Sequence, residues 1–167
     1  NSITSSTILT LNNWHHIAVV SDGSTYTKLY LDGVQVGTSA TLLTTSTTSL
    51  LTINGNRGGT NWDIDYPFTG LISDVRIVKG TAVYTGAFTR PSAPLTAVTN
   101  TQLLTCNDPV IKDSSPNALT ISTVGTVAVD KTTVSNVLFD GTNDYADCGY
   151  NSSIYNLTQN LTVEVWA

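Results

Sequence analysis

Asn13-Trp-His-His-Ile-Ala-Val-Val-Ser-Asp-Gly-Ser-Thr-Tyr-Thr-Lys-Leu-Tyr-Leu-Asp-Gly-Val-Gln-Val-Gly-Thr38 spells three consecutive β-strands joined by turns that carry glycine. Ile17 to Val20 and Lys28 to Tyr30 are runs of β-branched and aromatic residues, the types that suit a pleated, half-buried surface. Between Leu31 and Val34 stands Asp32-Gly33, a strong hairpin signal, because a two-residue type I′ turn needs positive φ at both central positions. The stretch predicts an antiparallel all-β protein.

Outward from it, strands are predicted at the spacing of a sandwich: Trp14 to Ser21, Thr27 to Leu31, Val34 to Gly37, Leu50 to Ile53 and Thr69 to Val78. A second set follows at Gln102 to Cys106, Leu119 to Ser122, Val127 to Val129, Val137 to Phe139, Tyr145 to Cys148 and Leu161 to Trp166. Turn residues separate them. Helix is nearly absent, confined at most to Gly80–Tyr84.

Composition narrows the function classes. The 167 residues are 40% hydrophobic and only 11% charged, with a net charge of −5. That is apolar material for one sandwich core, with Ser and Thr solvating the surface. Seven Lys and Arg, scattered along an acidic chain, do not form the basic patch that phosphate backbones require. No apolar run reaches the roughly 18 residues of a membrane-spanning helix.

Several segments resemble the laminin G-like branch of the concanavalin A-like lectin/glucanase superfamily. The Trp14-His-His-Ile-Ala-Val19 strand before the Leu29-Tyr-Leu-Asp-Gly33 hairpin is similar to that family's pattern, and Phe68-Thr-Gly-Leu-Ile-Ser-Asp-Val-Arg-Ile-Val-Lys79 looks like its late strand. Val137-Leu-Phe-Asp-Gly-Thr-Asn-Asp-Tyr145 and Leu161-Thr-Val-Glu-Val-Trp166 look like its opening strands. The Gly80 to Pro91 tail is similar to domains of bacterial surface proteins and of phage tail or fibre proteins. The resemblance implies an antiparallel jelly-roll β-sandwich.

The motif order is inverted: opening motifs stand at the C-terminus and closing ones at the N-terminus. Residues 1–90 are expected to be the C-terminal part of one sandwich and 91–100 a connector. Residues 101–167 are then the N-terminal part of the same, permuted sandwich or of the next one. With no Met and Asn at position 1, a fragment or processed chain of a tandem array is expected, lacking on the order of 40 to 60 residues between Trp166 and Asn1. One layer-forming unit is favoured, since each half alone would bury too little apolar surface.

The candidate chemistry follows. His15 and His16 are strand neighbours pointing to opposite faces, so they cannot share a metal ion. Glycanase work needs two carboxylates about 5 Å apart for retention, and the chain has one Glu, Glu164, with Thr162 and Trp166 as same-face neighbours. Asp63 and Asp65 share a face, but in a loop-like stretch. No Gly-x-Ser-x-Gly elbow is present, so no enzyme activity is expected. Saccharide contact is expected of the loop carrying Arg57, Asn61, Trp62, Asp63, Asp65 and Tyr66, where aromatic faces and polar groups gather; the alternative is that Trp62 plugs the sandwich end.

Asp140, Asn143 and Asp144 supply oxygens around a glycine, and the resemblance implies Ca²⁺ there; equally, Asp, Asn and Gly serve turns for backbone reasons alone. Cys106 and Cys148 are either a disulfide or two small buried hydrophobes. Asn151, Asn156 and Asn160 head glycosylation sequons, which arise by chance in a chain this rich in Asn, Ser and Thr. Leu161, Val163 and Val165 alternate with Thr162 and Glu164, and with Trp166 they form a strand to the chain end that is expected to seek a neighbour on each side, supplied by another copy through strand complementation. Taken with the resemblance, these features predict a non-enzymatic extracellular or virion-surface module of a fibre or filament. Its partners are expected to be neighbouring copies of itself and surface glycans, with no nucleic acid and no membrane span. The alternative is a carbohydrate-binding lectin domain, with Ca²⁺ or without.

Overall fold

A computed structural model describes residues 3–40, 51–54, 68–130, 136–149, 154 and 160–167. Eleven strands and no helix are found among them. They are β1 (His16–Ser21), β2 (Thr27–Leu31), β3 (Val34–Ser39), β4 (Thr52–Ile53), β5 (Thr69–Lys79) and β6 (Thr101–Thr105). After these come β7 (Ser122–Val124), β8 (Ala128–Asp130), β9 (Asn136–Asp140), β10 (Tyr145–Asp147) and β11 (Leu161–Trp166). The pairings among them are antiparallel. A large sheet runs β3-β2-β1-β11-β5-β9-β8 with β6 also on β5, and a small sheet runs β4-β10-β7.

The Asp32-Gly33 turn closes as the sequence predicts. Leu31 pairs with Val34, and φ is 50° at Asp32 and 84° at Gly33, the sign a type I′ turn requires.

Strands from the two sides of residues 91–100 share the large sheet. β11 lies between β1 and β5, with Ala18 opposite Glu164 and Glu164 opposite Arg76, and β6 and β9 both pair with β5. Leu161, Val163, Val165 and Trp166, expected to seek neighbours from another copy, are in a strand hydrogen-bonded on both edges within its own chain. Two backbone bonds between His15 and Ala167 carry the pairing beyond β11.

Because directly paired residues share a face, the registers sort the large sheet into two surfaces. One carries Val75, Ile77, Leu103, Leu161 and Val163 and packs with Phe139 and with Ile53, Ala146 and Cys148 of the small-sheet side; this is the sandwich core. The other carries His16, Ala18, Val20, Tyr30, Arg76, Thr162 and Glu164, all of them buried. Its cover is the irregular chain after β5, whose Ala82, Tyr84 and Phe88 pack on Ala18, Val20 and Tyr30. Thr162 ties that cover down: its hydroxyl accepts from the Val83 N–H at 2.9 Å and donates to the Thr81 carbonyl at 3.3 Å.

The predicted Leu119 to Ser122 strand is displaced to Ser122–Val124. The cause is Asp113, whose buried carboxylate accepts from the backbone N–H groups of Leu104, Ser115 and Leu119. Holding Leu119 in a loop, it leaves the side chains of Leu119 and Ile121 packed on the core without a strand beneath them.

Candidate functional site

Two polar constellations compete for a functional reading, and burial separates them. The first centres on Glu164, which is fully buried. Its Oε1 accepts from Arg76 Nε at 2.7 Å and Nη2 at 2.5 Å, and its Oε2 accepts from His16 Nε2 at 3.0 Å and the Tyr84 hydroxyl at 2.7 Å. Burial alone would raise this carboxyl; the bonds from His16 and Tyr84 and the Arg76 charge outweigh it and hold the group below the usual carboxylate range. Four donors occupy the carboxylate, which is 0% exposed, and the His16 ring meets the Tyr84 and Phe88 rings edge-on beside it. No substrate reaches such a group, so Glu164 is a structural anion.

The second is an open cleft of about 520 Å³, inside the ~300–1,000 Å³ range of ligand pockets. Trp14, just before β1, and Trp166, at the end of β11, both line it, brought to one place by the His15–Ala167 backbone pair. Trp14 is 39% exposed. A second wall is the chain from Thr89 to Pro94, which carries Arg90 and Ser92, and the polar groups outside it are Ser73, Asp74, Asn107 and Asn136.

Each wall is held by specific bonds. Arg90 places its guanidinium 5.5 Å from the Trp166 ring centre, within cation–π range, and donates from Nη1 to Asp32 Oδ1 at 3.2 Å. Asp32 also takes the His16 N–H at 3.0 Å and pairs with His15 Nδ1 at 2.8 Å. Burial pushes its carboxyl up, but the His16 N–H, His15 and Arg90 prevail and hold it low. The hairpin turn thus anchors the cleft wall. Gly33 completes the joint, since its carbonyl accepts the Phe88 N–H at 3.0 Å. On the floor, Asp74 has positive φ and is 7% exposed; Oδ1 accepts from the Leu95 N–H and Oδ2 from the Ser73 hydroxyl, each at 2.7 Å.

The residues singled out in the sequence are placed as follows. Arg57, Asn61, Trp62, Asp63, Asp65 and Tyr66 lie outside the described residues, as do Asn151 and Asn156. Asn160 is half-buried, and its carbonyl accepts the Gly80 N–H at 2.6 Å. Asp144 is fully buried and accepts the N–H groups of Thr126 and Asp140, while Asp140 accepts from the Thr126 hydroxyl and the Thr142 N–H; these oxygens organise turns. Among the described residues no group of three His, Cys, Asp or Glu is placed to hold a metal ion. Cys106 and Cys148 are free thiols in one core cluster, each pushed up to about 12 by burial. The cleft as a whole was not legible in the sequence, which had Trp14 and Trp166 only as parts of strand motifs.

Comparison with known families matches residues 1–83 to the concanavalin A-like lectin/glucanases superfamily, laminin G type. This part of the chain is concanavalin A-like. The match spans β1 to β5 and so contains Trp14, Ser73 and Asp74, while Arg90, Asn107 and Trp166 come from beyond it. No curated protein and no solved structure matches the chain. Among the described residues no helix is long and apolar enough to cross a membrane.

Proposed function

We propose that the protein is a non-catalytic, extracellular adhesion module that holds a saccharide in the Trp14–Trp166 cleft. The supporting observation is that one open cleft gathers two indoles, an anchored arginine and several hydrogen-bonding side chains. Sugar rings offer apolar C–H faces to aromatic planes and hydroxyls to polar groups, and lectin-type sites are made of both. The non-catalytic part rests on Glu164, the one glutamate, being sealed and fully bonded. A fibre or surface appendage that repeats such modules gains avidity from many weak contacts.

The test is retention of the full chain on immobilised polysaccharides, with Trp14→Ala and Trp166→Ala as the site variants. Loss of retention with an unchanged far-ultraviolet spectrum is expected. Retention unaffected by either change would place the contact elsewhere.

A further inference from the structure

Charge on the cleft walls bears on which glycans fit, a question that rests on the saccharide reading above. We propose that the cleft selects uncharged glycans over acidic ones, and that Asp74 is the residue setting this selectivity.

Arg90 is the one cation among the lining residues. It is already engaged by the Asp32 carboxylate and lies over Trp166, so its role is to fix the indole wall, and its charge is offset before any ligand arrives. Asp74 has no such offset: its described partners are a backbone N–H and a neutral hydroxyl. Arg90 and Asp74 are the two charged lining residues, and with Arg90 paired to Asp32 the charge left without an ionic partner is the Asp74 carboxylate on the buried floor, within a chain of net charge −5.

A carboxylate oxygen has two acceptor sites. Among the described residues each Asp74 oxygen has one bond, leaving one further site each for ligand donors. A sugar hydroxyl supplies such a donor. A uronate, sialate or sulfate group supplies only acceptors and a like charge, and juxtaposed like charges are strongly disfavoured at an interface. Ser92 and Asn107, also on the cleft wall, donate and accept and are indifferent to this choice.

The experiment is a glycan array carrying neutral oligosaccharides (gluco-, manno-, galacto- and N-acetylglucosamine types) beside uronic-acid, sialylated and sulfated ones, probed with the full chain. Neutral glycans are expected to bind at least about tenfold more tightly than acidic ones of equal length, with affinity flat between low and high salt. Asp74→Asn should narrow that ratio toward unity. Because Asp74 also holds the Leu95 N–H, the wild-type ratio and its salt dependence are read independently of the variant. Acidic glycans bound as well or better, or affinity falling with salt, would overturn the selectivity and leave the saccharide reading standing. Silence across the whole array would sink the saccharide reading itself.

Discussion

The Glu164 carboxylate meets the Arg76 guanidinium inside the sheet, with both Nε and Nη2 of the arginine donating to the same oxygen. The two residues are register partners on β11 and β5, so the ion pair joins the last strand of the chain to the fifth. A buried ion pair adds little against a well-packed apolar replacement, but breaking one by removing a partner leaves an uncompensated charge. Glu164→Gln is therefore expected to destabilise the fold by about 3–5 kcal/mol. Urea unfolding checks it, and a loss under about 1 kcal/mol, the scale of an exposed pair, would show that the charge is not sealed.

Acid should act on the same network. Glu164, Asp32, Asp108 and Asp140 are all held below the usual carboxylate range, and half-buried Asp22 is lowered to about 2 by the N–H groups of Thr25, Tyr26 and Ser24. A depressed folded value means that the stabilisation is complete above the unfolded pKa of about 4 and drains away as pH falls through the folded value. From these carboxyls Tm should be level above about pH 5 and fall progressively below about pH 4. Thermal unfolding from about pH 7 down to about pH 2 reads this out; a Tm that held constant over the lower half of that range would contradict it.

What the sequence reveals is what local chemistry dictates. Thr27–Leu31 and Leu161–Trp166 have the predicted bounds, and Asp32-Gly33 turns as its residue types demand. Alternation says which residues of β11 share a face, but not whether the second face is covered. Thr162 and Glu164 look like a solvent face and are fully buried, because residues 80–90, which have no periodicity, lie across them. The cleft is hidden for a related reason: Trp14 and Trp166 come from opposite ends of the chain and meet only through long-range register. Asp113 shows the third limit, since a buried acid organising a loop looks in sequence like any surface aspartate.

Gly33 carries a sharper prediction than its hairpin role suggests. With φ at +84° a side chain is strained, and a Cβ there would overlap the Phe88 carbonyl, which sits against the turn. Gly33→Ala must therefore both strain the turn and push the 80–90 cover outward, at a cost of about 1–3 kcal/mol. Phe88 stacks on Tyr84 at 3.6 Å between ring centres and meets His16 edge-on, so the displacement should also appear as faster amide exchange on that face. Unchanged stability of the variant by chemical denaturation would mean that the cover is not docked on the hairpin.

Thiol chemistry gives the last prediction. Cys106 and Cys148 are 1% and 2% exposed, and burial raises both thiols to about 12. Since the thiolate is the nucleophile, neither group should react with a neutral-pH disulfide reagent while the protein is folded. Unfolding in denaturant without reductant should release both at once, as cooperative loss of the core they share exposes them together. Two thiols titrated only after unfolding is the expected count. Reaction in the native state would mean that the core opens locally around β6 or β10, and no thiol after unfolding would mean that the pair is oxidised to a disulfide in the isolated protein.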